Sequence, residues 1–275
     1  MNPPIETIHL FPVLDQKLME LLRSLTPEEW NKPTVAKLWT VKDVAAHLLD
    51  THLRTLSIAR DGYMGAPPGA IHSPGDLVDY LNQLNADWVA ACKRISPAVL
   101  TSLLEENCPK ASAYMASLDP QAQAIFSVGW AGEAISANWF HIAREYTEKW
   151  HHQQQIREAV NKPGIMTAEL YHPFLDTFMR ALPFTYRDTP APESTVLQFT
   201  LTGVGGGDWY LIRKTEWELI TAPGASPTAH TTIDGAIAWK LFSKSWRRKD
   251  VMQYVTIAGD QKLGDVVLDM VSVMA

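Results

Sequence analysis

The chain changes character near residue 165, and this change constrains its fold more than any other feature. Before it, apolar residues recur at helical spacing between prolines and capping signals. After it, short β-rich runs alternate with turns and brief helices. We therefore predict a two-domain α+β protein with a helical bundle at 1–165 and an α+β module at 166–275. The length of 275 residues agrees with two domains.

The first part predicts four main helices and one shorter helix, which together indicate a bundle. Thr40 with Asp43, and Ser73 with Asp76, are typical of helix starts. The expected helices lie at 5–25, from 40 to about 61, from 73 onward and from 132 to 160, with the shorter one after Ser96. A long loop is expected at 62–75.

The second part predicts alternating helices and strands. A helix is expected at 167–181, followed by a proline-rich linker at 183–194. Further predictions are β-rich runs within 195–223, a strand at 227–233, a helix at 233–242, a strand at 254–259 and a closing helix at 260–272. The glycines of "GVGGGD" indicate a hairpin turn and lack the spacing of a nucleotide-binding fingerprint.

Composition excludes several classes of protein. The net charge is −6 without a basic stripe, which argues against a nucleic acid or an anionic membrane as partner. No apolar run is long enough to span a membrane, and "MNPPIETIHLF" does not resemble a secretion signal, so we expect a cytoplasmic protein. Cys92 and Cys108 are interpreted as structural thiols.

The segment "EYTEKWHHQQQIREAV", residues 145–160, concentrates side chains that can bind metals. At about 100° per residue, His141, Glu145, Glu148 and His152 share one side of the predicted helix. Glu148 and His152 are four apart, so their side chains can meet. Two interpretations follow: a face exposed to water, or one half of a metal site.

His47 favours the metal interpretation. It lies on the second helix at the edge of an apolar arc, whereas His52 lies nearer the middle and is interpreted as a core histidine. Two imidazoles and one carboxylate from facing helices would leave a coordination position open, which is typical of catalytic sites. Such a site keeps a charge near +1 and attracts an anion such as a thiolate or hydroxide.

At these residues the chain resembles a known family. "LWTVKDVAAHLLD" and "REYTEKWHHQQQI" resemble the ligand-bearing helices of the mycothiol-dependent maleylpyruvate isomerase family, within the DinB-like metalloprotein superfamily. "WELI", "AWKLF" and "VTIAGDQKLGDVVLDM" resemble that family's carboxy-terminal module, which is similar to sterol carrier proteins.

The resemblance implies a fold, a cofactor and a chemistry. It implies a DinB-like four-helix bundle in which His47, Glu148 and His152 bind a divalent metal, commonly zinc. It further implies a thiol cosubstrate (mycothiol, bacillithiol or glutathione) and an isomerase or transferase acting on a small electrophile. The alternative is a noncatalytic carrier or stress-associated binding protein whose metal is structural or absent.

The resemblance also draws attention to residues around the metal. Gln155 stands where many relatives carry an aspartate, so a neutral amide replaces a charged partner. Recognition of a substrate carboxylate would need arginines, and Arg54 and Arg144 lie nearest the proposed ligands in the sequence. Further candidates are Arg213, Arg247 and Arg248 from the second domain, and Asn85 for polar contacts inside the bundle.

Overall fold

The computed structural model describes residues 3–65 and 67–273, so Ala66 of the predicted loop lies outside the described residues. Helices and one five-stranded sheet make up the chain, which confirms the α+β class. Two compact units form: one contains residues up to 125 with 145–165, the other 126–144 with 166–273. The domain boundary at 165 stays a prediction. No helix among the described residues is both long and apolar enough to cross a membrane.

The first unit is helical. Its helices are α1 (Phe11–Arg23), α2 (Val41–Arg54), α3 (Pro74–Cys92), α4 (Pro97–Ser117) and most of α5 (Asn138–Val160). The predicted starts are confirmed, because Thr40 and Asp43 form a capping box at α2, and Ser73 and Asp76 form one at α3. Leucines and valines of α1, α2 and α4 form the buried core.

Two of these helices differ from expectation. Helix α4 has 21 residues and continues through Pro109, although a shorter helix was predicted. Its Leu100, Leu104, Cys108 and Met115 are buried at helical spacing, so packing outweighs the local effect of the proline. Helix α5 begins six residues later than predicted, because Gly132 has a left-handed φ of +84° that ends the preceding turn.

Within the described residues, the second unit contains the five-stranded sheet and five complete α-helices. Its strands are β1 (Val196–Thr202), β2 (Gly207–Arg213), β3 (Trp217–Ile220), β4 (Ala229–Asp234) and β5 (Val255–Gly259), in the order β3-β2-β1-β4-β5. Strands β1 and β4 are parallel and the other pairs are antiparallel. The helices are α6 (Ala168–Met179), α7 (Leu182–Tyr186), α8 (Gly235–Phe242), α9 (Arg248–Val251) and α10 (Gln261–Asp265).

The sequence predictions for this unit hold at the strands and fail at two segments. The glycine hairpin is confirmed between β1 and β2, where Gly203 and Gly205 have positive φ. The predicted linker at 183–194 instead begins with α7, whose buried Tyr186 donates to the Leu263 carbonyl at 2.8 Å. The closing helix is short: α10 is followed by a single 3₁₀ turn, Val266–Asp269.

Candidate metal centre

The polar residues of α5 are not an outer face exposed to water. Between 145 and 160, Glu158 is exposed, whereas every other side chain is buried or half-buried. His152 retains 8% of its accessible surface and Gln153 1%. Since charged and amide side chains are rarely buried without a partner or a role, the water-facing interpretation of this segment is wrong.

Helices α2 and α5 bring two histidines together. His47 of α2 and His152 of α5 are buried, and their ring centroids lie 4.6 Å apart at an angle of 76°. The indole of Trp39, one residue before the α2 cap, lies 4.8 Å from the His47 ring and 6.3 Å from the His152 ring. Residues far apart in sequence therefore form one imidazole pair with an aromatic wall.

Glu148 completes the cluster from the preceding turn of α5. Its Oε2 lies 3.3 Å from Nε2 of His152, which realises the spacing of four seen in the sequence. Nδ1 of His152 lies 2.9 Å from Oε1 of Gln155, and an amide oxygen only accepts hydrogen bonds. Nδ1 of His152 therefore carries a proton, and Nε2 is the ring nitrogen on the side of Glu148.

His47 has a buried nitrogen that lacks a partner. Within the described part of the chain, its Nδ1 makes no hydrogen bond. Burial, and then repulsion from the neighbouring His152 and Arg54, lowers the pKa of His47 well below its usual value. The ring is consequently neutral at pH 7, which is the form that binds metals.

The donor set fits a divalent cation. Two neutral imidazoles and one carboxylate are ligands that zinc accepts, and three protein ligands leave a position for an exogenous group. The orphaned Nδ1 of His47 is a buried polar atom that a metal ion or its bound ligands would satisfy. His152 thus lies beside both His47 and Glu148. Among the described residues, the set whose ligand atoms all lie within 4.8 Å of one another is instead Asp15, His52 and Cys108. The role of His47, Glu148 and His152 as ligands stays a prediction.

Gln155 links two histidines. Its Oε1 accepts from His152, and its Nε2 lies 3.1 Å from Nε2 of His151. Burial lowers the pKa of His151 well below its usual value, so this ring is neutral and accepts the amide proton. A carboxylate at 155 could not donate to His151. The amide therefore accepts from one histidine and donates to the other.

The arginine candidates lie in different surroundings. Arg54 is half-buried, and its guanidinium lies 3.0 Å from Asp50 Oδ2 and 3.0 Å from Asn85 Oδ1. Its charge contributes to lowering the pKa of His47, so Arg54 lies within electrostatic reach of the cluster. Arg144, in the second unit, donates to Nδ1 of His141 at 2.7 Å. Half-buried Asn85 accepts the hydrogen bond from Arg54 within the first unit.

The arginines predicted from the second domain make local contacts there. Arg213 donates to the Thr215 carbonyl, and Arg248 pairs with Asp265. The backbone N–H of Arg247, which precedes α9, donates to Asp250. Their proposed contact with a substrate stays a prediction.

A small cavity of mixed lining adjoins Glu148. Its volume of about 10 Å³ is room for one water molecule. Glu145, Glu148, Thr51, Thr55 and Lys149 supply polar groups to its wall, and Phe11, Ala111 and Met115 supply apolar ones. Thr55 begins a π-helical continuation of α2, Thr55–Arg60, a feature that often marks functional sites.

A second polar cluster lies around His52, which is buried as expected. Asp15, His52 and Cys108 each offer one possible ligand atom, and these three atoms lie within 4.8 Å of one another. Burial raises the pKa of both cysteines, that of Cys108 to about 12, which agrees with the structural role predicted for the thiols. Sequence reasoning missed this cluster because its members lie on different helices and form no local motif.

Comparison with known proteins points to the same family as the sequence resemblance. Residues 11–157 match a family model described as the mycothiol maleylpyruvate isomerase N-terminal domain. Two similar solved structures are of the mycothiol-dependent maleylpyruvate isomerase, one of them with a histidine replaced by alanine. Each alignment covers 91% of this chain and 91% of the chain in the solved structure, at 12% sequence identity. The TM-score is 0.54 for the structure with the replaced histidine and 0.51 for the second structure. This likeness shows the fold alone. No curated protein matches the chain.

Proposed function

Because the chain belongs to the mycothiol maleylpyruvate isomerase N-terminal domain family, we propose that it is a metal- and thiol-dependent enzyme. It isomerises a small electrophile or transfers the thiol to it. The observation that carries the proposal is that buried His152 of α5 lies beside two further donors, His47 of α2 and Glu148 of α5. The carboxy-terminal module is proposed to be similar to sterol carrier proteins.

These three side chains would hold a divalent ion, with zinc as our choice. Gln155 fixes the tautomer of His152, and burial keeps His47 neutral, so both rings are prepared to donate a lone pair. A dication with one carboxylate keeps a charge near +1, which favours an anionic fourth ligand. When bound, the metal supplies Lewis acidity that makes the thiol a thiolate at neutral pH.

The substrate is proposed to carry a carboxylate. Arg54 offers a guanidinium beside the imidazole pair, and a carboxylate could replace Asn85 as its partner. In the isomerisation, the thiolate adds to a conjugated double bond, and the resulting enolate rotates about the new single bond. Re-formation of the double bond then expels the thiolate, so the cosubstrate is regenerated and no proton is consumed. Arg144 is a second proposed anion-binding residue.

The proposal places the enzyme in the cytoplasm, where low-molecular-weight thiols are kept reduced. Cys92 and Cys108 are free and buried, so they would not compete with the cosubstrate. The partners are the thiol, which is mycothiol, bacillithiol or glutathione, and a small electrophile.

Zinc-loaded protein assayed with each thiol tests this function. Isomerisation of maleylpyruvate, and consumption of the thiol with other electrophiles, would be followed by absorbance. His152→Ala should lose both zinc and activity, whereas His72→Ala, at an exposed histidine, should keep both. If zinc binds but no thiol supports turnover, the chain is a carrier with a structural metal and the proposal fails.

A further inference from the structure

Lys149 lies at the centre of the second polar cluster. Its Nζ is 2.5 Å from Oδ1 of Asp15 and 2.7 Å from Nε2 of His52. The side chain is buried, with 8% of its surface exposed, and Phe11 presents its ring 5.5 Å from the ammonium. A buried lysine is stabilised by such a set of acceptors.

The polar groups of the cluster form a closed ring of neighbours. An ammonium only donates, so Nε2 of His52 is the accepting nitrogen, and the proton of the imidazole resides on Nδ1. This Nδ1 lies 3.6 Å from Sγ of Cys108. The Sγ atom also lies within 4.8 Å of a carboxylate oxygen of Asp15, which accepts from the Ser112 hydroxyl at 2.7 Å. All these polar groups are therefore satisfied without a metal.

The electrostatics agree with this assignment. Burial lowers the pKa of His52 to about 3 and raises that of Cys108 to about 12, so both are neutral. Burial alone would raise the pKa of Asp15, but Lys149, followed by smaller contributions, more than offsets it and lowers the value. The ring therefore contains one positive and one negative charge.

Asp15, His52 and Cys108 have the chemistry of a metal site, but a cation already lies among them. We propose that the Lys149 ammonium is the built-in cation of this donor set and that it positions α5 for metal binding. The ring joins four helices, since Asp15 lies on α1, His52 on α2, Cys108 on α4 and Lys149 on α5. The positioning part rests on the proposed function, because Glu148 precedes Lys149 and His47 shares α2 with His52.

The cluster is accessible from a groove between α1 and α4. The groove has a volume of about 430 Å³ and is mainly apolar, and Asp15, Cys108 and Ser112 contribute to its lining. Asp15 and Cys108 therefore border the groove, so this is the side from which a cation would approach the donors. What excludes a metal is the ammonium.

The test is a Co²⁺ titration of full-length variants followed by absorption. The starting point is His47→Ala/His152→Ala, which lacks the centre of the proposed function and should bind no Co²⁺. Adding Lys149→Ala should restore one equivalent of Co²⁺ with a thiolate-to-cobalt charge-transfer band, and further addition of Cys108→Ser should remove the band. If Lys149→Ala brings no band in the folded protein, the donor set is not a cation site and the inference is overturned.

The natural chain provides a second test that does not depend on variant folding. With Co²⁺ in excess and no added thiol, it should show no thiolate band, because Lys149 occupies the donors. A band that is lost in Cys108→Ser would overturn the inference. If the natural chain binds no Co²⁺ at all, the proposed function fails, while the triple variant still decides the role of the ammonium.

Positioning has its own readout. In a Cys108→Ser background, which disables the second donor set, Lys149→Met should weaken Co²⁺ binding at His47, Glu148 and His152 by about 10- to 100-fold, as loss of supporting contacts around metal ligands does. Lys110→Met removes an exposed lysine of α4 and should leave the affinity unchanged. Equal affinities of the two variants would show that the ring does not position the ligands.

Discussion

Replacing Lys149 by methionine should destabilise the first unit far more than replacing an exposed lysine. The Lys149–Asp15 pair has side-chain exposures of 8% and 11%, so its removal leaves a buried carboxylate without its counter-ion. Such a change costs about 3–5 kcal/mol. Lys110 and Glu106 form a matched pair at 2.7 Å, but their exposures are 49% and 63%. Lys110→Met should therefore cost below about 1 kcal/mol.

Urea unfolding at pH 7, followed by circular dichroism, measures both effects. With a slope of about 1–3 kcal/mol per molar, a loss of about 4 kcal/mol lowers the midpoint by more than about 1 M. Asp15→Asn combined with Lys149→Met should recover part of the loss, since the double variant leaves no unpaired charge. If Lys149→Met and Lys110→Met shift the midpoint equally, the pair is solvated and our reasoning about its burial is refuted.

Three further predictions concern the candidate centre and its surroundings. Gln155→Glu should strengthen zinc binding about tenfold through a charged partner for His152; a chelator competition measures this. Acidification from pH 6.5 to 5 should cost about 2 kcal/mol through His52 alone. The folded pKa of about 3 lies below the unfolded value, so stability falls as pH falls through this window. Arg54→Ala should raise KM for a dicarboxylate about 10- to 100-fold, the value of a charge-assisted hydrogen bond.

Each of these has a contradicting result. Equal zinc affinities of Gln155→Glu and Gln155→Ala would show that residue 155 does not support the ligand. Unchanged unfolding midpoints between pH 6.5 and 5 would show that His52 titrates normally in the folded chain. Arg60→Ala is the control for Arg54, because Arg60 pairs with its neighbour Asp61 at the surface. Equal KM values for the two arginine variants would exclude Arg54 from substrate binding.

Local patterns predicted most of the elements, because capping and apolar spacing act over a few residues. Thr40 with Asp43 marked the start of α2, and the spacing of Glu148 and His152 placed both on one face. The same patterns said nothing about which helix packs on that face. The convergence of His47 with His152 was expected from the resemblance, and the structure brings them together.

Long-range packing explains what the sequence left out. The water-facing interpretation of 145–160 was wrong because the amides and histidines of this segment find partners such as the Leu14 carbonyl, which accepts from Gln153. The ring of Asp15, His52, Cys108 and Lys149 needs four helices, and no spacing within one of them predicts it. The spacing of polar and apolar residues shows that the two faces of a helix differ in polarity. It does not show which other helix packs against either face.

X-ray absorption at the zinc edge of the reconstituted chain tests the central claim most directly. Without thiol, we predict nitrogen and oxygen ligands at about 2.0–2.2 Å and no sulfur; addition of the cosubstrate should bring one sulfur at about 2.3 Å. His47→Ala and His152→Ala should not retain zinc, so neither variant should give this spectrum. A sulfur ligand in the thiol-free sample that is lost in Cys108→Ser would place the metal at the other cluster and contradict the account.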